Sequence, residues 1–454
     1  MALPRRTEPT ASSDRETIFA LSSGAGRAGV AVLRVTGPAA GRALEALAGT
    51  LPAPRHARLV TFRDAVGETL DRGLALWLPG PGSVTGEDVA ELHVHGGRAV
   101  IAGVLEALGA LDGLRPAEAG EFTRRAFDAG RLDLTQVEGL ADLLAAETAG
   151  QRRQALRQMD GALAALTEGW RARLLRLQAH LEADLEFPDE DLPDGVGAAA
   201  RPEFAALARE IAAHLDDDHR GERLRDGLRV AILGAPNVGK SSLMNQVARR
   251  DVAIVAETAG TTRDVIEVHL DLGGWPVSIA DTAGLRETPE AVEAEGVRRA
   301  QARAAEADVR LVVLDAQAWP AVDPAAAALL DGDVVVVANK ADLAAVPADA
   351  RIGHYPVLPV SALRGDGVDA LIARLGVLAE ERLSRGEAPL LTRARHRTAL
   401  TACREALVRA DAASAPELVI EDVRLAAREL GRIAGRVDVE DILDIVFRDF
   451  CIGK

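Results

Sequence analysis

Gly234-Ala-Pro-Asn-Val-Gly239-Lys240-Ser241 is the stretch from which the rest of the chain is read. It fits the pattern G-x-x-x-x-G-K-[ST], a loop that wraps a nucleotide's phosphates. The apolar run 229–233 precedes it and a helical pattern follows, which is the context the chemistry needs. Glycines let successive backbone N–H groups curl around phosphate oxygens, and the helix N-terminus adds a favourable dipole. Lys240 is expected to neutralise the β and γ phosphates and is a catalytic candidate. Ser241 is expected to ligate Mg²⁺. Asn237, Val238, Gly239 and Ser242 complete the phosphate-binding set.

Three further motifs follow in order. Asp281-Thr282-Ala283-Gly284 comes after an apolar strand pattern. Asp281 is placed to hold Mg²⁺ through water, and the Gly284 amide to sense the γ-phosphate. Thr261-Thr262 lies between the first two motifs, with Thr262 the Mg²⁺-side threonine. Asn339-Lys340-Ala341-Asp342 follows another strand pattern. A carboxylate there accepts both the guanine N1–H and the exocyclic amine, whereas adenine leaves it unpaired. Ser361-Ala362-Leu363 brings backbone N–H groups near the guanine oxygen. The order and spacing look like those of the translation-factor-related GTPases. One departure is Leu285 after Asp-Thr-Ala-Gly, where Ras-like proteins keep a water-positioning glutamine. Leucine cannot orient water, so a carboxylate, a cation or a partner must.

Outward from this core, the runs 229–233, 277–280, 309–314, 334–338 and 357–360 are short and apolar. They alternate with loops and helices, as expected of a parallel sheet covered on both faces. Residues 368–383 close the unit as a helix. On the N-terminal side, 17–21, 30–35, 74–78 and 89–94 read as strands and 38–48 and 99–111 as helices, an α+β region. Residues 132–185 are helical in texture, and Leu174, Leu177, Leu181 and Leu185 make an apolar stripe. The stretch 187–202, with three prolines and the acidic cluster Asp189, Glu190 and Asp191, reads as a break before a helix over 203–215. The tail from Thr392 is helical again. One economical reading packs the two helical segments together with the α/β unit inserted between them.

The 454 residues allow about three domains. Lys plus Arg is 53 against 69 Asp plus Glu, giving a net charge of −16. That excludes a chain that coats nucleic acid non-specifically, and 3% aromatic residues argue against a groove built on base stacking. Two cysteines, Cys403 and Cys451, cannot make a disulfide framework. A reducing, cytoplasmic location is expected, since no secretory signal or membrane span is visible.

Over almost its whole length, GTPase segment and both flanks, the chain resembles the MnmE (TrmE) tRNA modification GTPase family, most tellingly outside the GTPase motifs. The resemblance rests on Thr85-Gly-Glu-Asp88, Glu91-Leu-His-Val-His-Gly-Gly97, Gly120-Glu-Phe-Thr-Arg-Arg-Ala-Phe127, Gly130-Arg-Leu-Asp-Leu134 and Phe450-Cys-Ile-Gly-Lys454. It implies an N-terminal α+β domain over 1–128 that dimerises and binds a tetrahydrofolate. It implies a helical domain built from 129–225 and 386–454, and an inserted Ras-like P-loop GTPase domain over 226–385. The implied activity is GTP hydrolysis that drives 5-carboxymethylaminomethyl modification of the wobble uridine of certain tRNAs. The implied partners are a second copy of the chain, the MnmG flavoprotein and tRNA. The implied one-carbon donor is 5,10-methylene-tetrahydrofolate.

The resemblance also answers the missing glutamine. It implies K⁺ held by Asn237, Thr258 and Thr261, with Glu293 orienting water. A monovalent cation between the phosphates can do the electrostatic work of an arginine finger. Arg263, Asp264 and Arg286 match positions that couple the switches. Arg34, Glu91, Arg124, Arg125, Arg131 and Lys454 are candidates for the folate and modification site, since arginine forks suit carboxylates. Cys451 reads either as a packed apolar side chain or as a thiolate beside Lys454. Cys403, inside a helical run, reads as packed. His93 and His95 share one face of a strand without a third ligand, so they read as structural or pocket-lining. Gly26-Arg-Ala-Gly29 reads as a tight turn. The alternative function is a regulatory ribosome-assembly GTPase, which usually carries a KH domain or a second GTPase unit; neither pattern is visible. A membrane-binding mechanical GTPase is disfavoured by the acidic charge.

Overall fold

The computed structural model describes residues 16–24, 26–186, 196–254, 267–281, 307–384, 391–437, 440–448, 450, 452 and 453. Packing divides the chain into two compact units, Met1–Ala141 with Gly431–Lys454, and Asp142–Leu430.

The first unit is a six-stranded sheet with helices. Its strands are β1 (Thr17–Leu21), β2 (Ala28–Thr36), β3 (Arg58–Arg63), β4 (Thr69–Leu78), β5 (Val89–Gly96) and β6 (Leu114–Pro116), in the order β3-β4-β5-β2-β1-β6. Helices α1 (Ala40–Ala48) and α2 (Arg98–Gly109) cover one face, where Leu33, Val35, Ala90, Leu92, Leu44 and Leu108 are buried. Side chains alternate across a strand, so Arg34, Glu91 and His93 fall on the other face. There α3 (Glu121–Asp128) sends Phe122 against Ile18 and Ala20. β1 is thus buried on both sides, which is why Ile18–Leu21 is apolar throughout. Helix α4 (Leu134–Ala145) ends this part of the chain.

The second unit opens with α5 (Ala149–Met159), α6 (Ala162–Glu186), α7 (Val196–Leu215) and α8 (Arg220–Asp226). The expected break before residue 203 lies partly inside α7, which runs through Pro202. One missing backbone bond is tolerated where Phe204, Leu207 and Ile211 are fully buried. An α/β layer follows: β7 (Leu228–Leu233), α9 (Lys240–Ala248), β8 (Ala253–Ile254), β9 (Glu267–Leu272), β10 (Trp275–Asp281), β11 (Val309–Asp315), α10 (Pro324–Ala327), β12 (Val334–Asn339), β13 (Arg351–Ile352), β14 (Tyr355–Val360) and α11 (Val368–Leu383). The sheet order is β13-β14-β12-β11-β7-β10-β9-β8. β10, β7, β11, β12 and β14 are parallel, and β8, β9 and β13 add antiparallel edges. Val313 and Val337 face one core with Leu243 and Leu375; Val312 and Val336 face another. Burial on both faces explains the near-continuous apolar runs. Beyond it, α12 (Ala394–Ala412) packs on α7, so helices from both sides of the α/β layer meet. Helix α13 (Pro416–Ile433) follows. Cys403 is fully buried in α12, and burial pushes its thiol up to about 12.

The chain then returns to the first unit. Helix α14 (Glu440–Arg448) buries Leu443 and Phe447 against Leu134 and Val137. Ile452 forms an antiparallel bridge with Ala119.

Candidate functional site

The phosphate loop leaves β7 at the centre of the second sheet. Gly234 has φ +145° and Gly239 φ +95°, both in the region that favours glycine. A Cβ on Gly234 would run into the Val313 carbonyl, and one on Gly239 into the Asn339 amide. The loop is therefore drawn tight against β11 and β12, with Val238 buried and Asn237 exposed at φ +64°. Gly239 caps α9, so Lys240, Ser241 and Ser242 occupy its first turn. Lys240 Nζ donates to the Gly234 and Ala235 carbonyls at 2.9 Å each, which holds the ammonium inside the loop. Asp281, the last residue of β10, stands opposite Ile232 in the parallel ladder. That register brings the β10 end beside the start of the loop.

Asn339 joins the loop to the base-recognition segment. It is 2% exposed; its Nδ2 donates to the Val238 carbonyl at 2.8 Å, and its Oδ1 accepts from the Ala362 N–H at 2.9 Å. Ser361 Oγ donates to Asp342 Oδ1 at 2.6 Å, and accepts from the Arg364 N–H. The Ser361 hydroxyl holds the Asp342 carboxyl below its ordinary range, so it is an anion at neutral pH. Lys340, at φ +67°, donates to Asp315 at 2.7 Å. Together these residues wall a cleft of about 460 Å³ lined by Gly239, Asn339, Lys340, Asp342, Ala362 and Leu363. Leu343 also lines it, and Leu343 and Leu363 are 62% and 80% exposed. Two open apolar side chains beside an anionic carboxylate suit the face and edge of a purine. The motifs did not single out Leu343 or Asp315; their closeness to Asp342 and Lys340 was the only signal, one in sequence and one through space.

The tight glycine cradle, the Lys240 ammonium and the Asp342 anion fit a guanine nucleotide with Mg²⁺. Thr258, Thr261, Thr262, Arg263, Asp264, Thr282, Ala283, Gly284, Arg286 and Glu293 lie outside the described residues.

The first unit carries the other candidates. Arg34 Nη2 donates to Glu91 Oε1 at 2.8 Å, and His93 Nε2 lies 3.2 Å from Glu91 Oε2. Burial pushes the Glu91 carboxyl up, but Arg34 and His93 more than offset it and the net shift is downward. His95 is exposed and meets Asp71 at 2.9 Å. Arg124 and Arg131 are exposed. Arg125 is placed differently from the expectation that it grips a folate carboxylate. It is buried, and its fork is filled by Glu87 and Glu121, each at 3.0 Å. Glu121 also takes Arg115 at 2.7 Å. Burial alone pushes the Glu121 carboxyl up, but these arginines and the Glu118 N–H bring it down to about 2. Cys451 and Lys454 lie outside the described residues, while Gly453 between them accepts from Ser22 Oγ at 2.8 Å.

Residues 17–131 match the family described as GTP-binding protein TrmE N-terminus, and 134–451 match the MnmE helical domain. The tRNA modification GTPase MnmE of Paramagnetospirillum magneticum is 58% identical over 97% of this chain and 100% of that protein. The protein of the same name from Rhodospirillum rubrum is also 58% identical, over 97% of this chain and 99% of that one. Among solved structures, an Era variant of Aquifex aeolicus bound to GDP and aluminium fluoride is 26% identical, covering 41% of this chain and 69% of that chain at a TM-score of 0.27. With likeness that runs nearly end to end at this identity, the chain belongs to the MnmE (TrmE) family of tRNA modification GTPases.

Proposed function

We propose that this chain is a K⁺-stimulated GTPase that acts on the wobble uridine of certain tRNAs. It would work as a homodimer with a flavoprotein of the MnmG kind, in the cytoplasm, using 5,10-methylene-tetrahydrofolate as the one-carbon donor. The observation that carries the reading is the cleft walled by Asp342, because it reads guanine and stands in a chain that matches tRNA modification GTPases over nearly its whole length. Among the described residues, no helix is long and apolar enough to cross a membrane. We divide the chain into the N-terminal segment 1–128, the helical segments 129–225 and 386–454, and the GTPase segment 226–385.

In this reading Asp342 pairs with the guanine N1–H and amine, and Asn339 keeps the two loops in register. Lys240 leaves the Gly234 and Ala235 carbonyls to meet the β and γ phosphates. Ser241, Thr262 and Asp281 hold Mg²⁺, which neutralises charge on the phosphate oxygens. Asn237, with Thr258 and Thr261, holds K⁺, whose charge replaces that of an arginine finger. Glu293 orients the attacking water. Thr282, Ala283 and Gly284, with Arg263, Asp264 and Arg286, relay the state of the γ-phosphate.

Glu91, held ionised by Arg34 and His93, suits the N–H edge of a pterin. Exposed Arg131 and Arg124 suit its glutamate carboxylates. Tetrahydrofolate supplies the one-carbon unit there, with Cys451 and Lys454 as reactive candidates.

GTP hydrolysis in matched KCl and NaCl buffers tests the cation role. Strong stimulation by K⁺ alone is expected; equal rates would remove K⁺ from the mechanism. Wobble-uridine analysis of tRNA from cells lacking the gene tests the pathway, and unaltered uridine would sink it.

A further inference from the structure

The first four N–H groups of a helix have no partner inside it. In α5, Thr148 and Gln151 form a capping box, and Gln151 Nε2 reaches the Arg225 carbonyl at 2.8 Å. The Gly150 N–H goes elsewhere: it donates to the Gly274 carbonyl at 2.8 Å. Gly274 lies at the tip of the β9–β10 hairpin, where Gly273 and Gly274 have φ of +67° and +92°. Both angles are those of the two-residue turn that fits strand twist.

The contact admits no side chain on Gly150. A Cβ there would lie 2.7 Å from the Gly274 carbonyl oxygen and 3.2 Å from both Leu224 Cδ1 and Trp275 Cε3. Leu224 and Trp275 belong to the core of the GTPase sheet. Arg153, one turn along α5, sets its guanidinium 5.8 Å from the centre of the Trp275 ring. The hairpin tip is thus seated on the helix by a backbone bond, an apolar wedge and a cation–π contact.

The far ends of the same hairpin lead to the nucleotide. β9 starts at Glu267, just after Arg263 and Asp264, and β10 ends on Asp281. Strands paired along their whole length are stiff, so a displacement at one end is passed to the other. We propose that Gly150 is a positioning residue that keeps the hairpin tip seated, so that α5 and the Asp281 strand move as one body through the GTP cycle. This rests on the reading of the chain as a tRNA modification GTPase.

The full-length protein tests it. Gly150→Ala should lower tRNA modified per GTP hydrolysed by about tenfold, the size of a typical coupling between sites. GTP hydrolysis itself should stay near the wild-type rate. An unchanged ratio overturns the proposal.

A second variant covers the case in which Gly150→Ala fails to fold. A Cβ at Gly274 would lie 3.5 Å from the Ala149 Cβ, within disulfide range. Oxidised Ala149→Cys/Gly274→Cys should match its own reduced form in both activities. Loss of modification on oxidation, restored by reductant, would mean that the tip must leave its seat. A third readout needs no tRNA: the Gly150 amide should exchange slowly with both GDP and a GTP analogue bound. Fast exchange in either state overturns the proposal, whereas a wild type that modifies no tRNA refutes the function and leaves this readout standing.

Discussion

The Ser22 hydroxyl donates to the Gly453 carbonyl at 2.8 Å, joining residues 431 positions apart inside the N-terminal unit. Gly453 has φ +96°, and a Cβ there would press on the Leu21 carbonyl. Gly453 is therefore a built part of that unit. Gly453→Ala should cost about 1–3 kcal/mol through backbone strain, and Ser22→Ala about 1 kcal/mol through the lost buried bond. Hydrogen exchange in β1 and β2 should speed up in both variants. GTP hydrolysis should hold, because the nucleotide cleft lies in the other unit. Unchanged exchange in Gly453→Ala would show that the end is only loosely held.

Asn339 stitches the phosphate loop to the base-reading loop through two bonds at 2.8 and 2.9 Å. Asn339→Ala leaves the Val238 carbonyl and the Ala362 N–H without their partner. Each such loss costs about 1–3 kcal/mol. Denaturant unfolding of the nucleotide-free protein should show the loss, and affinity for GDP and GTP should fall in parallel. Full stability with lowered affinity would restrict Asn339 to the ligand.

In the proposed reading Asp342 meets the base as an anion, and the Ser361 hydroxyl keeps it one. Asp342→Asn replaces an acceptor with a donor on the side facing guanine N1–H. GTP affinity should drop by at least about a hundredfold, and xanthosine triphosphate should bind in its place. Competition binding with the two nucleotides measures the exchange. Retained GTP preference would refute the assignment.

The parts of the fold legible in the sequence were those whose cause is local. Val309–Leu314 and Val334–Ala338 are buried on both faces, so their apolar runs announced the parallel sheet. Gly234 and Gly239 marked the phosphate loop because their φ of +145° and +95° favours glycine. β9, Glu-Val-His-Leu-Asp-Leu, went unread because an antiparallel strand near the sheet edge carries polar residues on one side. β3 was missed for the same reason at the edge of the other sheet. The helical texture of 132–185 hid the break at Thr148, since neither threonine nor glutamine looks like a helix breaker until the capping box is seen. The roles of Arg125 and Gly453 depend on partners distant in sequence, which no local pattern reports.

Glu121 gives the N-terminal unit a pH dependence with a definite sign. Its carboxyl falls from an ordinary value of 4.5 to about 2 in the folded state, where Arg115 and Arg125 grip it. A depressed folded value means stability that is present above pH 4.5 and lost as the pH falls from there toward 2. At 1.4 kcal/mol per unit that fall corresponds to about 3.5 kcal/mol at neutral pH, and solvent screening of the partly open carboxyl brings the contribution to on the order of 2–3 kcal/mol. Glu121→Gln removes the titrating group and leaves Glu87 as the one carboxylate paired with buried Arg125 among the described residues. The variant should be less stable at pH 7 and show a flatter stability slope between pH 4.5 and 2. Denaturant unfolding of both proteins across that range, followed by hydrogen exchange in α3, measures the difference. Parallel slopes would mean that the Arg115–Glu121–Arg125 cluster stays ungripped in solution, and the assignment of Arg125 as a structural residue would fall with it.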